Sequence, residues 1–285
     1  MIYILLSICC SVIVGILLKL AKRYEINVKQ AITFNYLAAI ALSYFFFKPA
    51  LTTVALPVPL FIALGILLPF IFWCLSSSVK NYGIVKTDIA QRLSLFIPLV
   101  AAWLLFNEHI SLLKVAGFII GLIAVVLILN RNREGEQTSG WLFPILVFVG
   151  FGVIDVLFKQ VAKITAIPYT TALFYIFICA FTLSMIWLIV MLITGKQKFQ
   201  LVNFFAGCFL GLFNFANILF YLKAHRIFSE NPSTVFASMN LGVIVLGTLV
   251  GLLIFKEKLN KANYAGLFMA IIAVVLITVA QIYAV

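Results

Sequence analysis

Acidic residues are scarce: Asp and Glu number eight in 285 residues against twenty Lys and Arg, and charged residues make up only 10% of the chain. A soluble domain carries about 25% charge and about 45 to 50% apolar residues, whereas 65% of this chain is hydrophobic. That balance excludes an ordinary water-soluble enzyme. The five cysteines (Cys9, Cys10, Cys74, Cys179, Cys208) all lie inside apolar runs, without C-x-x-C or metal-ligand spacing. They read as buried free thiols, with no disulfide framework and no metal site. Neither an H-E-x-x-H nor a G-x-S-x-G sequence occurs, so no converged catalytic set and no cofactor is indicated. The net charge of +12 is spread singly or in small groups between apolar runs. Basic groups so placed meet lipid phosphates at helix ends, and nucleic acid is not an expected partner.

What fills the chain instead is long apolar segments with 28 Phe and a mean hydropathy of +1.22. At about 20 residues per crossing, ten helices use about 200 residues and leave only short connections. The segments fall at Ile2 to Leu20, Ile32 to Phe47, Pro57 to Val79, Ile84 to Phe106, Leu112 to Leu129, Trp141 to Val161, Tyr169 to Ile193, Leu201 to Leu222, Ser233 to Phe255 and Ala262 to Tyr283. The first lacks a basic n-region and a small-x-small cleavage site, and is expected to stay as an uncleaved helix. Strands are not expected, because runs of this length leave no alternating polar face for a barrel lumen.

The most polar stretch, NRNREGEQTSG, divides the chain near its midpoint. It separates a first unit over residues 1–130 from a second over 141–285, with 131–140 as the connection. The two units repeat each other. FNEHISLLKVAGFIIGLIAVVLI, ending at Ile128, matches FKEKLNKANYAGLFMAIIAVVLI, ending at Ile277, at an offset of 149 that pairs Glu108 with Glu257 and Gly117 with Gly266. VGILLKLAKRYEINVKQAITF matches IDVLFKQVAKITAIPYTTALF at an offset of 140, placing Lys19 on Lys159 and Phe34 on Phe174. With an odd number of crossings in each half, the second must enter from the opposite side. The expected fold is therefore an all-α membrane protein of ten transmembrane helices, arranged as two inverted five-helix repeats.

The paired halves and the stretch KTDIAQRLSLFIPLVAAWLLFNEHISLLKVAGFIIGLIAVVLI, with Pro98, Glu108 and Gly117 and a partner from Ser233 onward containing Glu257 and Gly266, resemble the drug/metabolite transporter superfamily, in particular its ten-helix EamA-like members. The resemblance spans essentially the whole chain. It implies a multi-pass protein of the cell (inner) membrane that exports an amino acid or related metabolite, often with proton coupling. Broad-specificity drug efflux is the alternative within that fold, and a structural membrane protein without flux is the alternative outside it. The chain departs from internal symmetry where the offset puts Gly247 opposite Pro98, so the two halves need not bend alike there.

Charges inside apolar segments are expensive unless paired or hydrated, and they nominate a pathway. Asp88 and Arg92, with Gln91 between them, share one helical face in the fourth segment. Arg92 could hold an anionic group that Asp88 modulates. Asp155 and Lys159 repeat that spacing in the sixth segment. Asp155 aligns with Gly15, so the acid belongs to the second half alone and is the proton-coupling candidate. The competing reading has Lys159 cap the segment and neutralise Asp155. Lys19 divides between a pathway site and interfacial snorkelling, and the same division applies to Lys223, His225 and Arg226 just beyond the eighth segment. Asn35, Asn214, Asn217, Ser238 and Asn240 could hydrogen-bond a substrate or join helices. Glu108 and Glu257 read as structural, and the tryptophans and tyrosines, Tyr221 among them, as belts or core.

Counting Lys and Arg by connection gives 14 on the side of the first, third, fifth, seventh and ninth connections and 6 on the side of both termini. The positive-inside rule then puts both termini outside, whereas the resemblance implies both inside; the latter orientation is taken as the expectation. One chain holds both halves of a pathway, so a monomer suffices. The G-x-x-x-G spacings at Gly117, Gly207 and Gly247 leave a homodimer open. The expected partners are a small-molecule substrate, membrane lipid and protons as the candidate coupling ion.

Overall fold

The computed structural model describes residues 1–49, 57–108, 111–129, 142–254 and 260–283. Among them lie ten helices: α1 (Ile2–Arg23), α2 (Val28–Phe47), α3 (Val58–Leu93), α4 (Phe96–Leu104), α5 (Leu112–Leu129), α6 (Leu142–Lys163), α7 (Tyr169–Ile193), α8 (Leu201–Ile227), α9 (Pro232–Leu253) and α10 (Lys261–Tyr283). No strand occurs among the described residues. Eight of the helical stretches are long and apolar enough to cross a membrane, the pattern of a multi-pass membrane protein.

Local chemistry sets several boundaries. Asn27 caps α2, its side-chain oxygen accepting the Lys29 and Gln30 N–H groups at 3.1 and 3.3 Å, and this start four residues ahead of Ile32 gives the second helix 20 residues. Pro232 opens α9 at a position where no backbone donor is needed. α5 and α10 begin at residues 149 apart with matching turns. The Ser111 hydroxyl accepts the Lys114 N–H at 3.4 Å, and the Asn260 side chain accepts the Asn263 N–H at 2.8 Å.

The third and fourth segments differ from expectation. Residues 84–93 belong to α3, and α4 keeps only Phe96–Leu104. α3 is not straight, however. The hydroxyls of Ser78 and Thr87 are 2.6 Å apart, while nine residues of straight helix rise about 13.5 Å, so the axis turns sharply between them. The break at Ser94 and Leu95 has its cause at Pro98, which has no N–H and whose ring displaces the Ser94 carbonyl four residues back. That carbonyl instead accepts the Ile97 N–H at 3.1 Å. α9, with Gly247 in the corresponding place, runs unbroken to Leu253.

Two helix pairs run antiparallel at opposite edges of the bundle. In the α5–α10 pair, a Cβ at Gly117 would lie 2.7 Å from Ile277, and one at Gly266 would lie 2.8 Å from the Ala124 carbonyl and 2.9 Å from Ile128. Each glycine thus admits the partner helix at residues that correspond under the same 149-residue offset. In the α2–α7 pair, Thr33 reaches the Ser184 carbonyl at one end and Ser43 the Thr170 carbonyl at the other, both at 3.4 Å. Between these edges α1 packs on α8 and α9, as α6 packs on α3 and α4. The core includes buried Phe177, Phe236, Leu173 and Leu222.

Candidate functional site

One face of α8 carries Asn214, Asn217, Tyr221 and His225, spaced by three, four and four residues, which stacks them in one stripe about 16 Å long. Each of the first three meets a different helix. The Asn214 amide donates to the Asn35 side-chain oxygen of α2 at 3.1 Å. On α1, the Ser7 hydroxyl donates to Asn217, 2.6 Å from its side-chain oxygen and 3.0 Å from its carbonyl. The Tyr221 hydroxyl donates to the Asp155 carboxylate of α6 at 2.9 Å, and the Asn240 side chain of α9, whose amide donates to the Phe236 carbonyl at 3.0 Å, lies near the same carboxylate. α8 therefore gathers polar groups from α1, α2 and α6 inside the bundle.

Asp155, Asn217 and Asn240 remain partly accessible, while Asn35, Asn214 and Tyr221 are buried. The accessible set can bind a small polar molecule by hydrogen bonds, and the buried set holds the helices in register. Asp155 faces neutral partners. Lys159, one turn further along α6 and fully buried, spends its ammonium on the Ser229 carbonyl at 2.9 Å and the His225 carbonyl at 3.3 Å. It neutralises the carbonyl end of α8 and makes no ion pair with Asp155 among the described residues, which removes the reading of Lys159 as the neutralising partner.

His225 stands at the end of the stripe. Its ring lies 4.6 Å from that of Tyr221 and 4.7 Å from that of Phe236, by centroids. Both ring nitrogens are buried and find no hydrogen-bond partner among the described residues, and the same holds for the Ser238 hydroxyl. His225 was expected beyond the eighth segment. The helix instead continues to Ile227, because no proline interrupts the chain before Pro232, and carries the ring inside.

The remaining candidates lie elsewhere. Gln91 and Arg92 sit half-buried in the last turn of α3, and the Gln91 carbonyl accepts the Ser94 hydroxyl at 2.6 Å. Asp88 is in the same helix, but its side chain lies outside the described residues. Lys19 is exposed near the end of α1, away from the α8 stripe. The sequence carries no reading for Ser7, whereas it reads Tyr221 as belt or core and His225 as a pathway or interfacial residue beyond the eighth segment. For the latter two a signal was available in the α8 periodicity; for Ser7, a lone serine in an apolar run, there was none.

A second polar group closes the same end of the bundle. Glu108 and Lys114 form a fully buried ion pair at 2.8 Å. Lys114 also donates to the Asn231 side chain at 2.7 Å. Glu108 accepts the Ser233 N–H at 2.8 Å and the Ser233 hydroxyl, so a residue of the first half caps the start of α9 in the second. Glu257 lies outside the described residues.

No protein-family model matches the chain. An uncharacterized protein of Haemophilus influenzae strain Rd is 41% identical over 283 residues, which cover 95% of each chain. The chain belongs to the family of that protein. Its fold also matches a solved crystal structure with a TM-score of 0.71 over 97% of this chain and 98% of the other, at 16% identity. At that identity the likeness concerns the fold alone.

Proposed function

We propose that the protein is a secondary active transporter that exports a small amino acid or related metabolite across the cell (inner) membrane by alternating access, with protons as the coupling ion. In this reading the ten helices form two inverted five-helix repeats, and the EamA-like drug/metabolite transporters are its relatives. The observation that carries the proposal is the Asp155–Tyr221 contact: a partly accessible carboxylate that accepts a neutral hydroxyl where α6 and α8 meet inside the bundle, with no cation paired to it among the described residues. Such a carboxylate can exchange a proton or hold a substrate ammonium group; both helices belong to the second half of the chain, and α8 ties it to the first half through the bonds of Asn217 with Ser7 and Asn214 with Asn35. An ionisable group inside a membrane-spanning bundle is costly, and its partial accessibility favours a pathway over helix joining alone. Reciprocal packing of α5 on α10 through Gly117 and Gly266 supports two halves that rock against each other around a shared site.

The test is accessibility from both sides. Single cysteines at Asn217 and Asn240, in a background free of the native five, are to be labelled by an impermeant maleimide from each face of oriented vesicles. The proposal expects labelling from either face, with substrate slowing one of them. Access confined to one face under every condition would count against it.

A further inference from the structure

Away from the α8 stripe, a cavity of about 500 Å³ opens between α2, α3 and α7. Its walls are apolar, from Ile66, Phe70 and Trp73 on α3 to Leu183 and Trp187 on α7, with Lys29 of α2 at one end. The two hydroxyls in the wall are already used: Thr33 donates to the Lys29 and Ser184 carbonyls, and Ser184 to that of Ala180. A polar solute would find little to bind there. Ile66, Phe70 and Trp73 are 49%, 40% and 38% exposed, so this wall faces outward, where a protein that spans a membrane meets acyl chains.

The end marked by Lys29 is basic. Its ammonium lies 5.0 Å from the Trp187 ring centre. The connection after α7, carrying exposed Lys196 and Lys198, is tied to α2 where the Gln30 side chain donates to the Lys198 carbonyl at 2.7 Å. Arg23, at the end of α1, is exposed on the same side. An apolar slot open to the membrane, with cations gathered at its interfacial end, complements an amphiphile that is anionic at its head.

We propose that this cavity binds one anionic phospholipid, its acyl chain along Ile66, Phe70 and Trp73 and its phosphate at Lys29. Trp187, stacked under the Lys29 ammonium, holds that cation at the level of the headgroup. The proposal rests on the multi-pass reading of the chain and is independent of transport, because the lipid site and the Asp155 group lie on different helices.

The experiment is native mass spectrometry of the full-length protein, delipidated in mild detergent and titrated with phosphatidylglycerol or phosphatidylcholine of the same chains. The expected result is one phosphatidylglycerol retained in preference to phosphatidylcholine, with inorganic phosphate unable to displace it. Lys29→Gln should weaken phosphatidylglycerol about fivefold, the effect of one lysine beside an anionic headgroup, and leave phosphatidylcholine unchanged. Ile66→Phe, which fills the slot without touching a charge, should lower retention of both lipids. Equal retention of the two lipids by the unaltered protein would overturn the proposal whether or not either variant folds. So would displacement by phosphate, or titrations that neither variant alters.

Discussion

The Tyr221 hydroxyl of α8 donates to the Asp155 carboxylate of α6 at 2.9 Å, and Lys159, one turn away, turns instead to the carbonyls of the α8–α9 turn. The acid and the base that share a helical face are thereby separated in function: one faces the accessible interior, the other fastens a helix end. Asp155→Asn is therefore expected to remove the response of flux to an imposed pH gradient while folded yield stays normal. Tyr221→Phe should slow flux and keep that response. Gradient-driven flux that survives Asp155→Asn would reject proton coupling through this residue.

Lys159→Met should loosen the end of the bundle where α8 passes into α9, since a cation at a helix C-terminus contributes about 0.3 to 2 kcal/mol. Hydrogen exchange at residues 228–231 is expected to quicken, with Lys159→Arg restoring part of the protection. Unchanged exchange in the Met variant would show that the two carbonyls hold without the ammonium.

The Glu108–Lys114 pair is buried on both sides, and removing one member of such a pair costs about 3 to 5 kcal/mol because the other charge is stranded. Glu108→Leu and Lys114→Met should each lower the apparent melting temperature in detergent sharply. The double variant Glu108→Leu/Lys114→Met should lose less than the two single losses summed. Additive losses would mean that the pair acts as two separate contacts.

A Cβ at Gly266 would press on the backbone at Ala124 and Ile128, whereas one at Gly247 would meet nothing within 4 Å. Gly266→Ala is thus expected to destabilise by about 1 to 3 kcal/mol through overpacking. Gly247→Ala should be neutral or stabilising by up to about 1 kcal/mol, as for alanine in an unobstructed helix position. Thermal unfolding of both variants decides, and equal effects would contradict the α5–α10 contact described.

How much of this was legible beforehand varies by residue. Hydropathy located the eight helices long and apolar enough to cross a membrane, because such a helix must be apolar over its length, whatever its partners. It misplaced the boundary near Ile84, since a polar stretch without proline can bend and stay helical, and it ended the eighth segment at Leu222 because the apolar run stops there while the helix does not. The α8 stripe was written in the spacing of Asn214, Asn217, Tyr221 and His225. Tyr221, expected as belt or core, is buried in the core; its hydrogen bond to Asp155 is what the pattern did not carry. The contacts of Ser7 with Asn217 and of Glu108 with Ser233 join residues 210 and 125 positions apart. Such contacts follow from the packed arrangement of helices, which no local pattern encodes.

The central claim is substrate movement, and its most direct test is flux. Purified protein in proteoliposomes loaded with a mass-resolved pool of amino acids, organic anions and cationic drugs is to be followed with and without a pH gradient. The account predicts selective, saturable loss of an amino acid or related metabolite that quickens with the gradient. Selective loss of the cationic drugs would move the assignment to broad efflux. No flux of any compound, from folded protein in either orientation, would contradict the account.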